Sequence, residues 1–161
     1  MDYVLVDMPP GTGDIQMALG RLLPRTELLV VTTPALAAQK VATRVADMAR
    51  RSYLKVLGVI ENMSTFTCDH GTEYALFGEG GGAALATDIG VPLLGHVPLE
   101  PAVSAANDAG RPLSVVAPDS AAGKTFAAVA ERIATDLLPP VDMAGCTARI
   151  LDAVEEKLGA T

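Results

Sequence analysis

The chain has 161 residues, 50% of them hydrophobic and only 4% aromatic, with no Trp and a formal charge of −7. That suffices for one domain with an aliphatic core and is too apolar for a disordered chain. The acidic balance argues against a nucleic acid backbone binder, no apolar run reaches the ~18 residues of a membrane span, and two distant cysteines, Cys68 and Cys146, suit a reducing cytoplasm better than a disulfide framework.

In chain order, "YVLVD" (Tyr3–Asp7) reads as a short buried strand closed by proline and glycine. Asp14 stands where it can cap a helix after the turn or orient the loop. "ELLVVTTP" (Glu27–Pro34) is a second strand, and its unbroken apolar run suits a parallel sheet covered on both faces. Residues Ala35–Ser52 form a helix with Leu36, Val41, Val45 and Met48 near one stripe. Leu54–Met63 is a third strand. Gly80–Gly90 is a short helix bounded by glycines, and Val91–Pro98 is a fourth strand. Two helices follow: Pro101–Gly110, with proline in its first turn, and Pro118–Leu138, capped by Asp119 or Ser120. Residues 139–161 read as a linker and an amphipathic terminal helix carrying Ile150, Leu151, Val154 and Leu158 on one face. The alternation predicts an α/β three-layer sandwich with a mostly parallel sheet over residues 1–138. Right-handed crossovers bring the strand carboxyl ends to one edge, where ligands bind.

The chemistry gathers after the first strand. Asp7 ends an apolar run, where a carboxylate needs a partner; Mg²⁺ reached through water would serve. Pro9 and Pro10 stiffen the turn, and Gly11, Thr12 and Gly13 let backbone N–H groups approach a phosphate. The same residues also suit a plain strand-to-helix turn, and spacing alone leaves both readings open. "AGKT" (Ala122–Thr125) imitates the end of a phosphate-binding loop. However, the position five before Gly123 is Pro118 where that pattern needs glycine, so Lys124 reads as a surface helix lysine. No other GxxxxGK[ST] occurs.

"DYVLVDMPPGTGD", "VVTTP", "GVIENMS", "FGEGGG" and "GVPLLGHVPLEP" stand in this order. Together they resemble the Mrp-type (ApbC-type) iron–sulfur cluster carrier ATPases, a branch of the MinD/ParA-like P-loop group. The resemblance covers about residues 2–138. It implies a P-loop NTPase-like fold that binds ATP and Mg²⁺. It also implies a cytoplasmic homodimer that delivers iron–sulfur clusters to apoproteins, with no nucleic acid or membrane partner. By position, Asp7 is the Mg²⁺-linked catalytic acid, Gly11 faces the γ-phosphate with Thr12 and Gly13 beside it, Asn62 reads the adenine edge, and Pro98 lies against the base. Thr32 and Thr33 come near the phosphates. Family members carry a glycine-rich phosphate loop ahead of this region. The expectation is therefore an N-terminally truncated portion that hydrolyses ATP negligibly by itself.

In the family a CxxC pair follows "ENMS", and two chains share one cluster there. Here Cys68 matches one ligand, Gly71 takes the place of the second, and His70 is the nearest other donor, as in mixed Cys/His ligation. An exposed free cysteine beside a solvated histidine is the competing reading. His96 reads as structural. The alternative function is a MinD/ParA-like ATP-dependent positioning or regulatory switch without a cluster.

Overall fold

The computed structural model describes residues 3–8, 14–23 and 25–139, with the backbone alone for 14–16. Residues Gly11, Thr12, Gly13, Cys146 and the terminal amphipathic stretch lie outside the described residues. The elements are α1 (Asp14–Leu22), β1 (Glu27–Thr32), α2 (Leu36–Arg51), β2 (Lys55–Asn62), β3 (Phe66–Thr67), β4 (Glu73–Tyr74), α3 (Gly81–Ile89), β5 (Leu93–Val97), α4 (Pro101–Asp108), α5 (Leu113–Val116) and α6 (Ala121–Arg132), the last extended by a π-type turn over Ile133–Leu137.

β1, β2 and β5 form a parallel sheet in the order β1-β2-β5. Helices cover both of its faces, which makes three layers. On one face Val30 and Val59 pack against Ala42 and Ala46 of α2 and Leu85, Ala86 and Ile89 of α3. On the other, Val97 and Ile60 meet Ala106 of α4, Leu113 of α5 and Ala122 of α6. Val59 is wholly buried, and its side chain alone contributes about 1.5–3 kcal/mol of apolar burial. β3 and β4 pair as a separate antiparallel hairpin that stands beyond the carboxyl end of β2.

Local chemistry explains the boundaries. Gly80 and Gly90 both take the left-handed conformation, with φ of 71° and 72°, and bracket α3. Ser120 caps α6 by accepting from Gly123 N–H at 3.0 Å. Lys124 is an exposed residue of α6, and Gly123 lies against the Ala117 and Pro118 carbonyls, so "AGKT" is a helix start and not a phosphate loop.

Two expectations are corrected. Tyr3–Asp7 is not a strand: no described strand pairs with it, and Val4, Leu5 and Val6 are 73%, 87% and 53% exposed. β-propensity reports fit to a paired, half-buried surface, and without a ladder partner the same residues stay irregular. On α2, the buried side is Ala42, Ala46, Met48 and Ala49, whereas Leu36 and Val41 are 65% and 56% exposed. The small alanine side chains let the helix approach the sheet closely, so of the expected stripe Met48 is buried and Val45 half-buried while Leu36 and Val41 are left outside.

Candidate functional site

The carboxyl edge of the sheet is built on two rungs. In the first, Thr32, Glu61 and His96 lie side by side on β1, β2 and β5; in the second, Asn62 lies opposite Val97. Alternation turns Glu61 toward α3 and places Asn62 on the face of Ile60. Pro98 follows Val97 directly, so Asn62 and Pro98 both stand at the carboxyl edge, Pro98 on the side of Glu61 and His96. Asn62 Oδ1 accepts from Met63 N–H at 2.9 Å, in a turn where Met63 has φ of 55°. No described residue takes a hydrogen bond from the Asn62 amide nitrogen. That group fits the edge of a purine, which offers ring-nitrogen acceptors.

Glu61 is the most buried charged residue of the edge, 2% exposed. Burying a carboxylate is costly unless it is hydrogen-bonded. Both oxygens are engaged: one accepts from Gly82 N–H at the start of α3, and the other lies 2.8 Å from His96 Nδ1. The helix amino end favours negative charge there. This pair locks β2, β5 and α3 together one residue before Asn62. The arrangement bears out a structural role for His96. Glu61 itself was missed in the sequence, although a carboxylate inside "GVIEN" is the kind of residue that must have a partner.

The second part of the edge is the hairpin. Gly71 N–H donates to Cys68 O at 2.8 Å, and Cys68 N–H donates to Thr72 O at 3.0 Å, closing a tight turn around Cys68, Asp69, His70 and Gly71. Gly71 has φ of 80° with open space where a side chain would be. Backbone hydrogen bonds from His70 and then Thr72 hold the Cys68 thiol below its ordinary range. Thiolate therefore forms at lower pH than in an ordinary cysteine. Iodoacetamide alkylation of Cys68 followed against pH is expected to rise at a lower pH than for a simple thiol; a rise at the simple-thiol pH contradicts this.

Between hairpin and sheet lies an open cleft of about 410 Å³, lined by Glu61, Thr67, Glu73, Glu79, His96 and Pro98 among others. Asp7 is exposed, and no hydrogen bond or ion pair among the described residues joins it to this edge. Among the described residues no group of three or more His, Cys, Asp and Glu is placed to hold a metal ion within one chain. Thr32 is buried and its hydroxyl donates to Thr33 O at 3.2 Å.

A parallel sheet sandwiched by helices, with polar groups gathered at its carboxyl edge, defines an α/β protein of the kind that takes ligands at its strand ends. The family model of the NUBPL iron-transfer P-loop NTPases matches residues 1–134, and the chain belongs to that family. It is 46% identical over 141 residues to the iron-sulfur cluster carrier protein of Mycobacterium tuberculosis, covering 84% of this chain and 37% of that one. The iron-sulfur cluster carrier protein of Saccharolobus solfataricus is 42% identical over 135 residues, covering 83% and 46%. The chain thus spans less than half the length of these relatives. A nucleotide-binding protein from Archaeoglobus fulgidus, solved with ADP, superposes with a TM-score of 0.56 at 32% identity over 69% of this chain and 46% of that one. The MinD cell division protein of Aquifex aeolicus shares the fold, with a TM-score of 0.65 over 86% of this chain and 56% of that one at 21% identity. No described helix is long and apolar enough to cross a membrane.

Proposed function

We propose that this chain supplies the base-reading edge and the cluster hairpin of an ATP-dependent iron–sulfur cluster carrier. The observation that supports it is that Asn62, the last residue of β2, and Pro98, just past the end of β5, stand at the same sheet edge, with the Cys68 hairpin following β2 there. Asn62 hydrogen-bonds the adenine edge and Pro98 lies against its face. Asp7 would hold Mg²⁺ through water, and Gly11, Thr12 and Gly13 would offer backbone N–H groups to the phosphates. Mg·ATP, when bound, supplies the phosphoryl group whose hydrolysis is coupled to cluster handling. The cluster is cargo. Two copies of the chain pair in the cytoplasm, each giving one Cys68 thiolate, and His70 completes the donor set. Apoproteins receive the cluster from this pair.

The test is transfer. The 161-residue chain, loaded anaerobically with iron and sulfide, is mixed with an apo-ferredoxin and followed by visible circular dichroism. Growth of the ferredoxin signal at a rate proportional to loaded chain is expected; no growth contradicts the carrier reading. In parallel, phosphate release from ATP is expected to be negligible, because the 161 residues contain no GxxxxGK[ST]. Mg²⁺-dependent release that Asp7→Ala abolishes contradicts that.

A second reading, a MinD/ParA-like nucleotide switch, draws on Gly71, which stands where the second thiol is expected. It calls for nucleotide-dependent dimerisation in sedimentation with no chromophore.

A further inference from the structure

His96 uses one ring nitrogen for structure and keeps the other. Its Nδ1 lies 2.8 Å from Glu61 Oε1. A carboxylate only accepts, so Nδ1 carries the hydrogen of that contact and Nε2 is the ring nitrogen left for another partner. A carboxylate that holds one imidazole nitrogen and so orients the other is the supporting arrangement of metal-binding histidines. Glu61 is fixed in turn by Gly82 N–H, which keeps the ring in place. The His96 side chain is 53% exposed and lines the open cleft between hairpin and sheet.

The same cleft holds further unmet polar groups. Glu73 and Glu79 line it, both exposed and without an ion pair among the described residues, and no described Lys or Arg stands on its wall. Ser64 lines it too and is 8% exposed. Its backbone N–H donates to Val97 O at 3.0 Å, while its hydroxyl has no hydrogen-bond partner among the described residues. A buried hydroxyl is costly unless something in the cleft, water or a hydrated ion, bonds to it. Thr67 and its cross-strand partner Glu73 carry the cleft onto the hairpin, and Cys68 is the next residue.

Charge and donor type select the ligand. From Val56 to Gly110 the sequence has seven Asp and Glu and no Lys or Arg, so the field at this edge draws cations. An imidazole nitrogen beside carboxylates favours a first-row divalent ion over Mg²⁺ or Ca²⁺, which prefer oxygen alone. Among the described residues no three of these side chains are placed to hold one ion together. An ion there keeps most of its water and is held weakly, which suits an ion that is passed on.

We propose that the cleft is a loading site for ferrous iron. His96 Nε2 is the nitrogen ligand, Glu73 and Glu79 give carboxylate oxygens directly or through water, and the Ser64 hydroxyl bonds to ion-bound water. The destination of the ion, the Cys68 sulfur, rests on the carrier reading. The step is ligand exchange. Fe–N and Fe–O bonds break, an Fe–S bond forms, the thiol proton passes to water, and the iron stays ferrous.

The experiment is anaerobic calorimetry with Fe²⁺ on the 161-residue chain carrying Cys68→Ala, which removes the thiolate from the count. One Fe²⁺ per chain is expected, and about a tenfold excess of Mg²⁺ leaves it bound. His96→Asn places an amide N–H where Nδ1–H stood, so the bond to Glu61 is kept while the ligand nitrogen is lost. It is expected to weaken binding by at least about tenfold. Glu73→Gln with Glu79→Gln weakens it by at least about fivefold, and Asp47→Asn with Glu131→Asn, the same charge change elsewhere, by less than about twofold. The chain has two histidines, and in proton NMR Fe²⁺ is expected to shift the ring signals of His96 before those of His70. No Fe²⁺ binding, displacement by Mg²⁺, or equal affinity in His96→Asn overturns the proposal. With Cys68 present, His96→Asn is expected to slow cluster assembly at limiting Fe²⁺, and excess Fe²⁺ to restore the rate. An unchanged rate at limiting Fe²⁺ overturns the loading role. If the parent chain forms no cluster, the carrier reading fails, while the Cys68→Ala titration still decides whether the cleft holds iron.

Discussion

Gly81→Ala is expected to lower the thermal midpoint of unfolding by about 4–8 °C. Two effects oppose each other at this position. Alanine is the better helix former by about 1 kcal/mol, and Gly81 is the first residue of α3. A Cβ there, however, would run into the Pro34 carbonyl and the Gln39 amide nitrogen, which are themselves hydrogen-bonded to each other at 2.8 Å. One obstacle is backbone and cannot swing away. Overpacking of this kind costs about 1–3 kcal/mol and sometimes more, so the clash wins. A clash near 3 kcal/mol less the helix gain leaves a net loss of about 2 kcal/mol, which at about 2–4 °C per kcal/mol gives the stated shift. The adjacent Gly82 has the same problem, since a Cβ would lie 2.6 Å from Glu61 Cβ. Gly81 and Gly82 are thus a packing requirement that seats α3 on the turn after β1 and on Glu61, whereas Gly80 is needed for its φ of 71°. Differential scanning calorimetry measures the shift. A midpoint unchanged or raised in Gly81→Ala shows that α3 does not pack as described.

Gly71→Cys is expected to slow loss of iron from the reconstituted chain to a chelator by at least about tenfold, a barrier change of about 1.4 kcal/mol. A thiolate is the ligand that iron–sulfur clusters take, and the substitution restores a CxxC spacing with Cys68. The obstacle is conformational, because φ at Gly71 is 80°, a region that costs a non-glycine residue about 1–2 kcal/mol. Nothing lies within 4 Å of the position a Cβ would take, so no steric cost adds to it. The turn is exposed, and metal–thiolate bonding exceeds the strain. Iron release timed at the visible absorbance band gives the answer. Release as fast as from the parent chain shows that the hairpin is not where the cluster sits.

The sequence carried most of the sheet. β1, β2 and β5 are legible because Val, Leu and Ile run without alternation and end in Pro or Asn. The α3 boundaries are legible because Gly80 and Gly90 take conformations that other residues avoid. The Tyr3–Asp7 segment has the same composition as a strand but no partner strand, and pairing is a property of the neighbours. The hairpin of Phe66–Thr67 and Glu73–Tyr74 is too short to leave a periodic pattern. The α2 face was misread because alanine is weakly apolar, while its smallness is what permits contact with the sheet. At the site, Asn62, Pro98 and Cys68 were legible only through the family motifs. The Glu61–His96 pair joins residues 35 apart in sequence through a rung that only the sheet register defines.

The most direct measurement is iron and acid-labile sulfide per chain after anaerobic reconstitution and desalting, in the parent chain and in Cys68→Ala. The account predicts one [2Fe–2S] cluster per two parent chains and none in the variant. Equal iron in both, or none in either, contradicts cluster binding at Cys68.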